Sequence, residues 1–148
     1  MEPLKLTIDL LPQGAWGKDF SITLPKSDWD QLRHATYAAA GYRCEICGAK
    51  PEQLVAHEVW DFDLPRRTQT LVAIKALCPA CHGVKHFRNS VRIGYGEQAK
   101  QHFMQVNHCG LATLTQHYLA AEALFAERNQ VKQWTMKAPL LDELGIEY

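Results

Sequence analysis

Apolar and polar residues alternate over residues 4–10 (Leu-Lys-Leu-Thr-Ile-Asp-Leu), the period of a strand with one buried face. Pro12 and Gly14 end that run. From Ser27 the period lengthens. Trp29, Leu32, Thr36, Tyr37 and Ala40 share one face of a helix, with Ser27 as its N-cap, Asp30 three residues on as the capping-box acid, and Gly41 as its stop. Residues 54–61 are rich in strand formers and are broken by Pro65, and residues 70–77 read either as a returning strand or as a short turn. Helical spacing then returns twice. Ala99, His102, Phe103 and Val106 line one side of 97–106, and Leu111, Leu114, Tyr118, Ala121, Leu124 and Phe125 line one side of 111–134. Stripes of this kind face a core. The chain shows no internal repeat, low-complexity stretch or linker.

Two cysteine pairs interrupt this pattern: Cys44-Glu-Ile-Cys47 followed by Gly48, and Cys78-Pro-Ala-Cys81 followed by His82. A two-residue spacer lets both sulfurs of a pair reach one ion, and four thiolates make a closed tetrahedral zinc site. Residues 42–48 form the knuckle around the first pair. Pro79 suits a first helical turn, so the second pair starts a helix that runs through His82, Lys85 and His86. Knuckle, hairpin and then a helix carrying two ligands in its first turn is a treble-clef order. The expected fold class is α+β: a zinc-bound knuckle, hairpin and helix over residues 42–90, within a mainly helical single domain spanning 1–148. Residues 1–41 add a strand and a helix, and 91–148 add a helical extension.

Composition narrows the setting. The 148 residues suit one domain, and a 47% apolar, 22% charged chain is ordinary for a globular protein. No run approaches the length of a membrane span, and no basic segment followed by an apolar run opens the chain. A reducing, cytoplasmic setting fits, where such cysteine pairs hold metal rather than disulfides. Cys109 reads as a small buried apolar residue. Net charge is zero, but residues 66–100 hold seven basic groups against the single acid Glu97. Such an excess suits either phosphate contacts or an ordinary solvated face.

Arg43-Cys44-Glu45-Ile46-Cys47-Gly48, Ala56-His57-Glu58 and Leu77-Cys78-Pro79-Ala80-Cys81-His82, with Lys85 three beyond, resemble the HNH endonuclease family in its zinc-binding, ββα-metal form. The resemblance covers roughly residues 42–87. It implies that His57, on the first hairpin strand, acts as general base on water and that His82, on the helix, binds a divalent metal (Mg²⁺, Mn²⁺, Ni²⁺ or Zn²⁺). A neutral imidazole takes a proton from water near neutral pH, and a metal offsets the charge that builds on a phosphate. DNA is the implied substrate, with Arg66, Arg67, Lys85, Arg88 and Arg92 as the expected phosphate contacts.

Two departures from that family stand out. The acid that commonly precedes the hairpin histidine is Ala56 here, and residues 70–77 contain no asparagine. His86 offers a compensation, because four residues after His82 it shares that helix face. Glu58 supplies an oxygen ligand only if the strand is irregular, since it otherwise points away from His57. The remaining histidines (His34, His102, His108 and His117) carry no ligand pattern. Two functions follow: a metal-dependent endonuclease, or a non-catalytic zinc module that binds nucleic acid or a protein partner. A CxxC oxidoreductase fits less well, because neither pair lies in a strand-to-helix redox context.

Overall fold

A computed structural model describes residues 3–148. Its framework is an antiparallel hairpin, β1 (Val55–Asp63) and β2 (Thr68–Leu77), followed directly by helix α3 (Pro79–Lys85). The register pairs Val55 with Leu77 and Asp63 with Thr68, and slips between Val59 and Trp60. Residues 70–77, ambiguous in sequence, are thus the returning strand. Pro79 occupies the first turn of α3, and Cys78 caps it by accepting the Cys81 N–H at 3.4 Å. These elements have the expected treble-clef order.

The outer edge of β2 is closed at both ends. At its start, β3 (Thr135–Lys137) pairs in parallel, Thr68 with Thr135. At its end the knuckle docks: Glu45 N–H donates to the Ala76 carbonyl at 2.9 Å, and Glu45 Oε2 accepts the Ala76 N–H at 2.6 Å. Unpaired edge groups are thereby covered. The knuckle turn itself closes with the Gly48 N–H on the Cys44 carbonyl, at 3.0 Å, and Gly48 sits at φ 77°, where a side chain would be strained.

Helices pack around this frame in two apolar groups. One surrounds the cysteines: Leu77, Val84 and Phe87 meet Ala99 and Phe103 of α5 (Gly96–Asn107), Leu114 of α6 (Leu111–Arg128), and Leu6 and Ile8 of the N-terminal segment. The other covers the far end of the hairpin, where Leu71 meets Phe20 of α1 (Phe20–Thr23), Leu32 of α2 (Lys26–Ala39) and Leu141 of α7 (Pro139–Glu143). A short helix, α4 (Phe87–Arg92), joins α3 to α5. Among the described residues no helix is long and apolar enough to cross a membrane.

Three sequence expectations change. Residues 4–10 bury Leu6 and Ile8 as their alternation predicts, yet they form no strand. Their backbone groups are satisfied by side chains instead. Asn107 Oδ1 accepts the N–H groups of Lys5 and Leu6, Asn107 Nδ2 donates to the Leu6 carbonyl, and His117 Nε2 accepts the Ile8 N–H. Helix α2 starts at Lys26, so Ser27 lies in its first turn and Pro25 precedes it. The last long helix stops at Arg128 rather than continuing to Trp134. There the chain turns so that Val131 and Trp134 are buried, and it goes on as β3.

Candidate metal centres

The four cysteine sulfurs converge within 4.8 Å of one another. Zn–S bonds of about 2.3 Å place tetrahedral sulfurs roughly 3.8 Å apart, and Cys47 Sγ lies 3.6 Å from Cys78 Sγ. That spacing is far too long for a disulfide. Burial raises the Cys44 thiol, but surrounding backbone N–H groups outweigh it and bring it to about 7. Burial and the neighbouring sulfurs push Cys81 well up. Thiolates crowded in this way need a cation between them. The donor set and its spacing fit a structural zinc ion, held by Cys44, Cys47, Cys78 and Cys81.

One partner of this cluster was not legible in the sequence. His102, on α5, places Nε2 3.1 Å from Cys81 Sγ. A ring N–H donated to a metal-bound thiolate steadies its charge. His102 therefore ties the C-terminal helices to the cysteine frame. His117 likewise has a specific job, holding Ile8.

A second group gathers beside α3. His57 projects from β1 and is 8% exposed; His82 lies on α3, and His86 caps that helix's end and opens to solvent. Helix α3 is one residue shorter than the sequence suggests, but His86 still sits one turn beyond His82, its N–H on the His82 carbonyl at 3.1 Å. Ring centroids stand 5.6 Å apart for His57–His82, 5.4 Å for His57–His86 and 4.5 Å for His82–His86. One ring nitrogen from each falls within a 4.8 Å set. Burial, then the proximity of His86 and His82, lowers His57 to about 3. Burial and His86 lower His82 to about 4. Both are therefore neutral near pH 7, the form that binds metal. Two of the three expected ligands, His82 and His86, thus form one cluster with the expected base, His57.

The three imidazoles stand on the wall of a cavity of about 620 Å³. Its other walls come from the flanks: Asp9 of the N-terminal segment, Asp19 before α1, Trp29 of α2, and Leu124 and Arg128 of α6. Glu58 lines the cavity too but stands outside the histidine set. Its Oε1 accepts the Phe20 N–H at 2.6 Å, and burial pushes its carboxyl up to about 7. Asp61 and Asp63 belong to the strand end away from His57, and Asp63 pairs with Arg66.

Of the five expected phosphate contacts only Lys85 lines this cavity. Arg66 is six strand steps and a turn beyond His57, about 20 Å or more along β1. Ion pairs engage three of the five: Arg66 with Asp63, Lys85 with Asp9 at 2.9 Å, and Arg88 with Glu122. Arg92 hydrogen-bonds Asn89 at 2.6 Å, and Arg67 sits in the hairpin turn at φ 53°. Arg128, not singled out in the sequence, stands 5.1 Å over the Phe62 ring and has no carboxylate partner among the described residues.

Comparison with protein-family models finds no match, and neither curated proteins nor solved structures give one.

Proposed function

We propose that the protein is a metal-dependent nuclease in which His57, His82 and His86 hold one divalent ion and a separate structural zinc holds the hairpin against α3. The observation that carries the reading is the convergence of three imidazole donors within 4.8 Å on a hairpin–helix frame built around four cysteines. Imidazole nitrogens sharing one tetrahedral ion stand roughly 3.4 Å apart, so small side-chain rotations bring this set onto an ion. A divalent ion there would offset the negative charge that develops on a phosphodiester during attack by water.

The chain's own groups divide the remaining work. His57 is fixed by the hairpin and serves as a ligand in this reading, not as the base expected from the resemblance. Arg128 at the cavity wall can donate to a phosphate oxygen, because no carboxylate claims it among the described residues. Lys85 instead holds Asp9 and Thr7 of the N-terminal segment, at 2.9 and 2.8 Å, and so anchors that wall. The substrate assignment, DNA, rests on the HNH-like residues between 42 and 87.

Plasmid nicking with added Mg²⁺, Mn²⁺, Ni²⁺ or Zn²⁺ tests the proposal, alongside metal content per chain. The expected result is two ions in wild type, one in His82→Ala, and loss of nicking by roughly a hundredfold or more in His57→Ala and His82→Ala. A wild type that carries one ion and cuts nothing would leave the frame as a zinc-bound binding module. The ion pairs on Arg66, Lys85 and Arg88 are the feature that favours that second reading.

A further inference from the structure

The histidine cavity is longer than one metal centre requires. β1 is the edge strand of its sheet, and among the described residues no strand pairs along its outer side. Consecutive residues of that strand, Val55 to Trp60, all line the cavity, and Phe62 follows. Successive side chains on a strand point to opposite faces, so a cavity touching every one of them runs along the strand's open edge. From His57 to Phe62 that edge covers about 16 Å. The imidazoles stand at one end. Arg128 stands at the other, 5.1 Å over the Phe62 ring.

Between the two ends the wall changes character. Trp29 of α2 and Trp60 of β1 are half-buried there, together with Leu10 and Leu11 of the N-terminal segment. Trp60 leans on Phe20, with ring centroids 5.5 Å apart, which steadies its ring. Charge is divided along the wall as well. At the histidine end Lys85 pairs with Asp9 at 2.9 Å. Glu58 accepts the Phe20 N–H at 2.6 Å, and Asp19, the residue before Phe20, shares that wall. Arg128 has no carboxylate partner among the described residues. Carboxylates repel phosphate but accept hydrogen bonds from the amino groups that bases carry. The wall therefore offers phosphate two cationic positions, the ion of the proposed histidine centre and Arg128. An aromatic stretch with acceptors for bases separates them.

Shape decides which form of nucleic acid fits. A volume of about 620 Å³ suits one small ligand. A base paired within a duplex cannot enter such a recess, whereas an unpaired nucleotide can. No single phosphate reaches both ends, which are about 16 Å apart, so the strand has to continue along β1.

We infer that the cavity binds an unpaired stretch of nucleic-acid strand, with the scissile phosphate at the histidine centre, a neighbouring base against Trp29 and Trp60, and a flanking phosphate on Arg128. The inference rests on the nuclease reading above and names its substrate as single strand rather than duplex. Stacking on aromatic rings tolerates any base, so cleavage follows strandedness and not sequence.

The test is fluorescence anisotropy of labelled oligonucleotides on zinc-loaded full-length protein without added metal. Cleavage of the same substrates is followed with Mg²⁺, Mn²⁺, Ni²⁺ or Zn²⁺. A short single-stranded DNA, its duplex, and the same backbone carrying abasic sites throughout are compared. The single strand should bind tighter than the duplex by roughly tenfold or more, since a duplex must first be unpaired. The abasic backbone should bind roughly 5- to 150-fold more weakly than the intact strand, the factor expected for lost stacking. Trp60→Leu, checked by circular dichroism and zinc content, should lose a similar factor on the intact strand and little on the abasic one. Trp29→Phe keeps a ring and should stay within about threefold of wild type. Arg128→Gln should reduce the salt slope of binding by about one. No binding of the single strand, equal binding of the duplex, or equal binding of the abasic backbone by wild type would each overturn the inference. Metal-dependent cleavage of the duplex in that case would leave the nuclease reading in place. Base-dependent binding of the single strand without cleavage in any metal would instead remove the nuclease reading and leave the strand-binding cavity.

Discussion

Glu45→Ala removes the side chain that hydrogen-bonds the knuckle to β2. In the folded protein its Oε2 accepts the Ala76 N–H at 2.6 Å, and Ala76 is fully buried. A hydrogen bond to a charged acceptor contributes about 1.5–3 kcal/mol, and a buried N–H left unpaired costs about 1–3 kcal/mol. These are two views of one loss, so the expected destabilisation is about 2–3 kcal/mol. For a chain of this size that corresponds to a fall in Tm of about 4–12 °C. Glu45→Gln keeps an oxygen acceptor without the charge and should lose roughly half as much. The assay is urea unfolding followed by circular dichroism at fixed free zinc, since the metal shifts the apparent stability by mass action. Because Ala76 pairs with Ala56, the residue before His57, the alanine variant should also weaken metal binding at the proposed histidine centre. An alanine variant within 0.5 kcal/mol of wild type would refute the account of knuckle docking.

Two further outcomes are expected. Asn107→Ala deletes three hydrogen bonds to Lys5 and Leu6, worth about 2–4 kcal/mol together, and should expose residues 4–10 to limited proteolysis that wild type resists. His102→Phe keeps the volume near Cys81 but withdraws the ring nitrogen, and zinc transfer to a chromogenic chelator should accelerate on the order of tenfold. An unchanged transfer rate would mean that the 3.1 Å contact does not steady the thiolate.

What the sequence conveys about this protein depends on how local the information is. Cysteine spacing and Pro79 place the knuckle and α3, because a ligand pair and a helix start are each settled within a few residues. His82 and His86 are legible as a pair for the same reason. The alternation at residues 4–10 identifies the buried side chains Leu6 and Ile8 but not their partners, since Asn107 and His117 lie about a hundred residues on. Asp19 carries no signal either. It sits at the N-cap position of α1 without a side-chain cap bond, and the Phe20 N–H goes to Glu58, which arrives from β1. The end of α6 escapes because Val131 and Trp134 continue an apolar pattern that tertiary burial, not helical period, accounts for.

The cavity's mixed parentage has a consequence for the order in which the protein assembles. Its cysteine frame draws on residues 44–81, whereas its walls join Asp9 and Asp19 to Leu124 and Arg128. Closing the longer span costs more chain entropy, and metal held by the frame contributes folding free energy directly. A growing chain can therefore hold zinc and display the three histidines before α6 exists to wall them in. For that interval the three imidazoles stand open to solvent, and the cavity around them takes shape only with the last helices.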